Sequence, residues 1–445
     1  MKDLKGGELI RVAKFGGTSL ALGESVKRAA TIVLSSNKRQ YVVVSAPGKR
    51  FREDTKITDM LYSAYDEEGI AQEDILGQIK ERFEDIVRAL HVEVDLEGIF
   101  SRIKESFGNH LGRDYAASRG EYVMGIIFSR YIGYEFIDAG EVIFFKEDGS
   151  FDEEKTGERL KQRLSGIENA VIPGFYGSMP NDTVKTFTRG GSDITGALVA
   201  RAVGADIYEN FTDVDGFMTA DPNIVDSPQV MEQVTYDQLR ALSSMGAVVL
   251  HEDSIYPVRF SGIPINIRNT FYPEGAGTVI VSRSDKKAPE ITGIAGRTGY
   301  CHITVCKNMA NGAQDIYTDA CGVFAEQGVR VEYTPGGIDS VGFVVKKSEL
   351  KGQRRRVLLG LCRRLCPEYV SIKDDIAAIA IVGEGINKGS VLWRMLTRLA
   401  EGGIIPELVI KPRSECCAVI GVDEFDYKRA ICLLYEEVKD IQNKR

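Results

Sequence analysis

The chain is poor in histidine, has no cysteine before residue 301 and contains no long apolar run. Its four histidines, His91, His110, His251 and His302, have no partners at metal-ligand spacing, and neither HExxH nor GxSxG occurs. Zinc-dependent and serine-type hydrolysis therefore lack support. GxxxxGK followed by Ser or Thr is also absent, which removes the P-loop. No stretch of 18 apolar residues exists, so no helical membrane span is expected. The opening MKDLKGGELIRVAKF lacks the apolar run of a signal peptide, which makes the cytoplasm the expected compartment. A net charge of −8 argues against a nucleic-acid partner. The one basic cluster runs from Lys346 through Arg354, Arg355 and Arg356 to Arg364. Its apolar residues are interleaved at helical spacing, so it reads as the solvated face of a helix. All eight cysteines lie beyond residue 300 and none forms CxxC. They read as reduced and mostly buried thiols, and their confinement marks a domain boundary near 290.

At 445 residues, with 43% hydrophobic and 27% charged, the chain suits two or three globular domains. The first 290 residues alternate strand and helix signals. Leu9–Phe15 reads as a strand ended by Gly16-Gly17. A helix from about Glu24 follows from Val26, Ala29, Ala30, Val33 and Leu34 at i, i+3, i+4, i+7 and i+8. Tyr41–Val44, Ala170–Pro173, Ala205–Phe211 and Pro264–Ile267 are apolar runs suited to buried strands. Strands alternating with helices imply an α/β domain with a mostly parallel sheet, whose ligands bind at the carboxyl ends of the strands.

The last 150 residues contain a repeat. Phe324-Ala325-Glu326-Gln327-Gly328-Val329 matches Leu399-Ala400-Glu401-Gly402-Gly403-Ile404 at an offset of 75 residues. Val344-Val345 falls on Val419-Ile420, and Glu332 on Glu407. Each unit reads strand, turn, helix, Gly, strand, turn, strand: one small α+β module used twice. The last strand is expected to cross back and complete the first module, blurring a boundary near 370.

Four turns carry charge. Lys14-Phe15-Gly16-Gly17-Thr18-Ser19 pairs glycines, which let backbone N–H groups approach an anion, with a cation at a strand end. A plain tight turn would explain the glycines alone. Thr188-Arg189-Gly190-Gly191-Ser192-Asp193 precedes a helix expected over about 194–203, capped by Ser192 or Asp193. Arg189 exceeds what a turn needs and suits a carboxylate. The acidic turns from Phe211 through Thr212, Asp213, Asp215 and Phe217 to Asn223 fit ribose or metal-bound phosphate, or ordinary Asx-turns. In Ser118-Arg119-Gly120-Glu121 the glutamate is expected in the first turn of a helix, where dipole complementation also accounts for it.

In order along the chain, KFGGTS (14–19), SRGE (118–121), TRGGSD (188–193), TDVDGFMTADP (212–222) and MGAVVLH (245–251) resemble the aspartate kinases. The doubled module resembles their paired ACT domains. The resemblance covers essentially the whole chain. It implies a carbamate-kinase-like, three-layer amino acid kinase domain over 1–293, then ACT-like modules over 294–370 and 371–445. The implied reaction moves the γ-phosphate of ATP, carried with Mg2+, to the β-carboxylate of L-aspartate. The same resemblance assigns roles. Lys14 and Asp193 would be catalytic, and Ser45, Thr58, Glu121, Arg189 and Ser192 would hold aspartate. Lys14, Phe15, Gly16, Gly17, Thr212, Asp213, Phe217, Asn223, Val248 and Val249 would form the nucleotide site. No metal cage in the protein is implied.

Three positions depart from the family pattern, all on the nucleotide side: Val248 where lysine is common, Phe217 where tyrosine is usual and Asn223 where arginine is common. They favour a rival, a non-catalytic amino-acid sensor, which Lys14, Glu121, Arg189 and Asp193 oppose. The ACT resemblance implies an effector loop around Met309, Gly312 and Gln314. With Glu332 placed for a cationic side chain, lysine is the expected effector and threonine the runner-up. Gly383 to Gly389 has the wrong spacing for a dinucleotide fingerprint. Paired ACT modules imply a homodimer or a higher homo-oligomer.

Overall fold

The computed structural model describes residues 9–109, 111–246, 257–284, 289–307, 313–413 and 415–443, with backbone only for 313–315 and 443. The chain forms two compact units. One comprises residues 1–217, 230–236 and 249–284, the other residues 218–229, 237–248 and 285–445.

The first unit is built on eight strands: β1 (Arg11–Phe15), β2 (Arg39–Val44), β3 (Glu135–Phe136), β4 (Ala170–Pro173), β7 (Ile207–Thr212), β8 (Gln233–Thr235), β9 (Ile265–Asn269) and β10 (Thr278–Val281). A hairpin of β5 (Tyr176–Ser178) and β6 (Val184–Thr186) follows β4. The sheet order is β3-β4-β2-β1-β7-β9-β10-β8. It is parallel from β3 to β9, and β10 turns antiparallel to β9. The inner strands are apolar because both faces are covered. Phe15 and Phe211, on adjacent strands, stack at 4.9 Å and are fully buried. Each such ring contributes roughly 2 kcal/mol by burial. Helices Gly23–Leu34, Gly69–Leu90, Leu96–Gly108 and Arg113–Ile132 supply much of the core on one side.

The helix Arg113–Ile132 corrects one expectation. Glu121 sits in its middle and does not open it. Ser118 bonds its hydroxyl back to the Tyr115 carbonyl and accepts from the Arg119 guanidinium. A second correction concerns helix Gly191–Val203. It starts at a left-handed Gly190, and neither Ser192 nor Asp193 caps it, both lying inside its first turn.

One feature was not legible in the sequence. Glu209 on β7 is buried and gathers Arg39 from β2 (2.6 Å), Arg11 from β1 (3.3 Å) and Arg268 from β9 (3.1 Å). Burial pushes its carboxyl up, but the Arg39 hydrogen bonds and the three positive charges outweigh this and hold it below its ordinary value.

The second unit holds one antiparallel sheet of β11 (Gly293–Cys306), β12 (Val331–Tyr333), β13 (Ser340–Lys346), β14 (Tyr369–Val382), β15 (Leu408–Ile410) and β16 (Cys417–Asp423), in the order β12-β13-β11-β14-β16-β15. The order is symmetric about β11 and β14, as a duplicated module requires. Helices Ala313–Glu326 and Arg354–Leu365 belong to one copy, Ser390–Glu401 and Tyr427–Asn443 to the other. Each copy thus reads βαββα, one helix more than the repeat showed. The long strands β11 and β14 join the copies. The last strand, β16, pairs with β14 and β15 and does not complete the first module.

Helix Arg354–Leu365 buries Val357, Leu361 and Leu365 and turns Arg354 and Arg364 to acidic partners, as its interleaving implied. The cysteines are less buried than expected: Cys301 and Cys417 are buried, Cys362 and Cys366 are exposed, and the rest lie between.

Candidate active site

The carboxyl ends of β1, β2, β4 and β7 bring the charged turns together. Lys14, near the end of β1, is 7% exposed. Its ammonium lies 2.5 Å from Asp193 Oδ1 and donates to Asn210 Oδ1 at 3.4 Å. Asn210, beside Lys14 on β7, donates in turn to Asp193 at 2.9 Å. The side chain of Asp193 therefore fixes a nearly buried cation at the strand ends. Asn210 escaped sequence reading. The available signal was a pair of polar residues, Glu209 and Asn210, in the middle of a strand flanked by Tyr208 and Phe211, which must find partners when buried.

The glycines of the first turn serve differently from expectation. The Gly16 N–H donates to the Phe211 carbonyl at 3.0 Å, so it is not free to face a phosphate. Gly17 lies against the loop after β2: a Cβ there would stand 2.9 Å from the Ala46 carbonyl oxygen and 3.1 Å from the Gly48 nitrogen. The Gly48 N–H donates to the Gly17 carbonyl at 2.8 Å. Close backbone packing accounts for glycine at 17 and 48. Phe15 is fully buried, so only its backbone can meet a ligand.

Glu121 is 5% exposed, and its Oε2 has no hydrogen-bond partner among the described residues. Burial holds its carboxyl up at about 8, although the Ala46 N–H and the charge of Arg119 pull it down. An unpartnered buried carboxylate is costly unless a cation arrives to meet it. Gly120 lets the helix approach Ala46, since a Cβ there would come within 2.7 Å of the Ala46 Cβ. Ser45 is half-buried at the end of β2, and its N–H donates to the Phe15 carbonyl. Thr58 is half-buried in the first turn of helix Ile57–Asp66. Ser192 packs on Gly174, just beyond β4, where a Cβ would stand 2.6 Å from its own. Arg189 is exposed and has no partner among the described residues. The hairpin leading to it is tied to helix Arg113–Ile132 by Asp114, which accepts from Lys185 (2.8 Å) and Thr186 (2.6 Å).

The nucleotide residues are less tightly assembled. Thr212 is half-buried at the end of β7 and Asp213 is exposed. Phe217 is 1% exposed, so its ring belongs to the core and offers no stacking face. Asn223 falls in the second unit, where its side chain and N–H close an Asx-turn on Asp221. Val248 and Val249 lie outside the described residues. A cavity of about 540 Å3 is lined by Asp215, Glu232, Asn269 and Tyr272 among others. Asn269 donates to Asp215 across 2.7 Å.

Of the expected effector residues, Met309 and Gly312 lie outside the described residues, and Gln314 is described by backbone alone. Glu332 is not waiting for a cation. The Lys346 ammonium lies 2.9 Å from its Oε1, though not in hydrogen-bond geometry, and Arg330 is 3.9 Å away.

The family model of the amino acid kinases matches residues 10–269. Aspartokinase 3 of Bacillus subtilis is 32% identical over 96% of this chain and 98% of its own length. The chain belongs to the aspartokinases of the amino acid kinase family. It is accordingly an ATP-dependent kinase. The crystal structure of Clostridium acetobutylicum aspartate kinase, 39% identical, superposes with a TM-score of 0.90 over 97% of this chain and 100% of that one. Escherichia coli aspartokinase III, solved with aspartate and ADP, shares the fold at 22% identity and a TM-score of 0.70, covering 96% of this chain and 99% of its own. Among the described residues no helix is long and apolar enough to cross a membrane.

Proposed function

We propose that the chain transfers the γ-phosphate of ATP to the β-carboxylate of L-aspartate, giving 4-phospho-L-aspartate, the first step toward lysine, threonine and methionine. The observation that carries this reading is Glu121, a buried carboxylate with one orphaned oxygen. An α-ammonium is the partner it lacks, and the partnerless Arg189 suits an α-carboxylate. The β-carboxylate would then face Lys14. Phosphoryl transfer depends mainly on positioning and on neutralising charge. Lys14 supplies that charge, with Asp193 and Asn210 holding its ammonium in place. Mg2+ would enter on the ATP phosphates. Asp193 is engaged with Lys14, and a hard cation of this kind is commonly carried chiefly by substrate phosphates. The test is ADP release with MgATP and L-aspartate, for the parent chain and Lys14→Ala. Aspartate-dependent release lost in the variant supports the proposal, and release that ignores aspartate refutes it.

The same reading divides the chain into a catalytic domain over 1–293 and ACT-like modules over 294–370 and 371–445, acting in the cytoplasm as at least a homodimer. Lysine is proposed as inhibitor, with threonine the alternative. Aspartokinase III of E. coli has been solved with lysine and aspartate. A melting temperature and an activity both unmoved by lysine and by threonine would refute the sensor role.

A further inference from the structure

We propose that Arg82 is a positioning residue for phosphoryl transfer: its one guanidinium ties both ends of the Gly48–Thr55 loop and so holds the Lys14–Ser19 turn and the acceptor-binding groups in mutual register. The inference rests on the placement of aspartate proposed above.

Arg82 lies in the long helix Gly69–Leu90 and is 6% exposed. One terminal nitrogen donates to the Gly48 carbonyl and the other to the Thr55 carbonyl, each at 2.7 Å. The charge lies 3.4 Å from Asp54, a buried carboxylate that also accepts from the Arg50 side chain and N–H at 2.9 to 3.0 Å. One side chain therefore bridges the two ends of the eight-residue loop.

Both ends lead to the site. At the entry, the Gly48 N–H holds the Gly17 carbonyl, and a Cβ on Gly48 would come within 2.6 Å of the Gly17 carbonyl carbon. Two residues earlier, Ala46 gives its N–H to Glu121. At the exit, Lys56 precedes the helix that carries Thr58 in its first turn. A cavity of about 500 Å3, lined by Arg50, Asp54, Thr55 and Arg82 among others, borders the loop. Packing is thin on that side, so the guanidinium fork fixes the loop. A lysine, a compact point charge, cannot reproduce the two-pronged reach.

The test is steady-state kinetics of the full chain and of Arg82→Lys and Arg82→Gln, varying aspartate and ATP separately, with melting temperatures alongside. Arg82→Lys keeps a charge beside Asp54. It should stay folded, yet lose at least roughly tenfold in kcat/KM for aspartate, since a misplacement of about 1 Å can cost on the order of 100-fold. KM for ATP should move less, and Arg82→Gln should lose more than Arg82→Lys. If Arg82→Gln does not fold, Arg82→Lys decides. An Arg82→Lys variant with the parent's kcat and aspartate KM, whatever its melting temperature, overturns the inference. A parent chain without aspartate-dependent turnover overturns the proposed function first and this inference with it.

Discussion

Raising the pH from 6 to 9 should tighten aspartate binding, and Glu121 sets the size of the effect. The folded chain holds this carboxyl up at about 8, chiefly through burial. An ammonium ligand pairs with the ionised form, so apparent affinity scales with the ionised fraction. With a value of about 8, the free site is roughly nine-tenths protonated at pH 7 and about half protonated at pH 8. Affinity should therefore rise about fivefold over that unit and level off above it. Binding near pH 7 should expel close to one proton. Calorimetry in two buffers of different ionisation enthalpy measures that proton directly. The pH profile of aspartate KM gives the slope, and Glu121→Gln should flatten both while raising KM. A KM independent of pH between 6.5 and 8.5, with no proton released, would refute the reasoning.

The same group also affects stability. Its folded value exceeds the ordinary 4.5, so the folded state holds the proton more tightly than the unfolded chain. Stability contributed by that proton is present at low pH and lost as pH rises from about 4.5 to about 8, at up to roughly 1.4 kcal/mol per unit. Glu121→Gln should therefore melt higher than the parent at pH 8, by thermal denaturation, while binding aspartate worse. Arg189→Ala should leave the melting temperature unchanged, because Arg189 is exposed and has no partner among the described residues, yet raise aspartate KM by roughly ten- to a hundredfold, the worth of a charged hydrogen-bonded clamp. Gly48→Ala should destabilise by roughly 1–3 kcal/mol, by chemical denaturation, and lower kcat as well, since it pushes on Gly17. Glu209→Gln should cost roughly 3–5 kcal/mol, because three arginines would lose the carboxylate that gathers them.

The sequence was most legible where periodicity and burial agree. Val42 to Val44 and Ala170 to Pro173 are strands because their apolar runs fit a sheet covered on both sides. The 75-residue repeat announced a duplicated module, and the sheet's symmetric order follows from it. The charged turns at 14–19 and 188–193 were visible because Lys14 and Arg189 exceed what turn chemistry needs. Residues whose role depends on long-range partners were not visible. Asn210, Asp114 and Arg82 meet partners 17 to 196 positions away. Local rules also misled where tertiary contacts win. Glu121 is expected to open a helix but lies in the middle of one buried on several faces. Phe217, expected in the nucleotide site, fills the core.

The most direct test of the central claim is to trap the product. An aspartyl phosphate is a reactive acyl phosphate, so incubating the chain with MgATP, L-aspartate and hydroxylamine should yield aspartyl hydroxamate in step with ADP. Lys14→Ala should cut both signals by at least roughly 100-fold. ADP release without hydroxamate, or hydroxamate formed equally well by Lys14→Ala, would contradict the account.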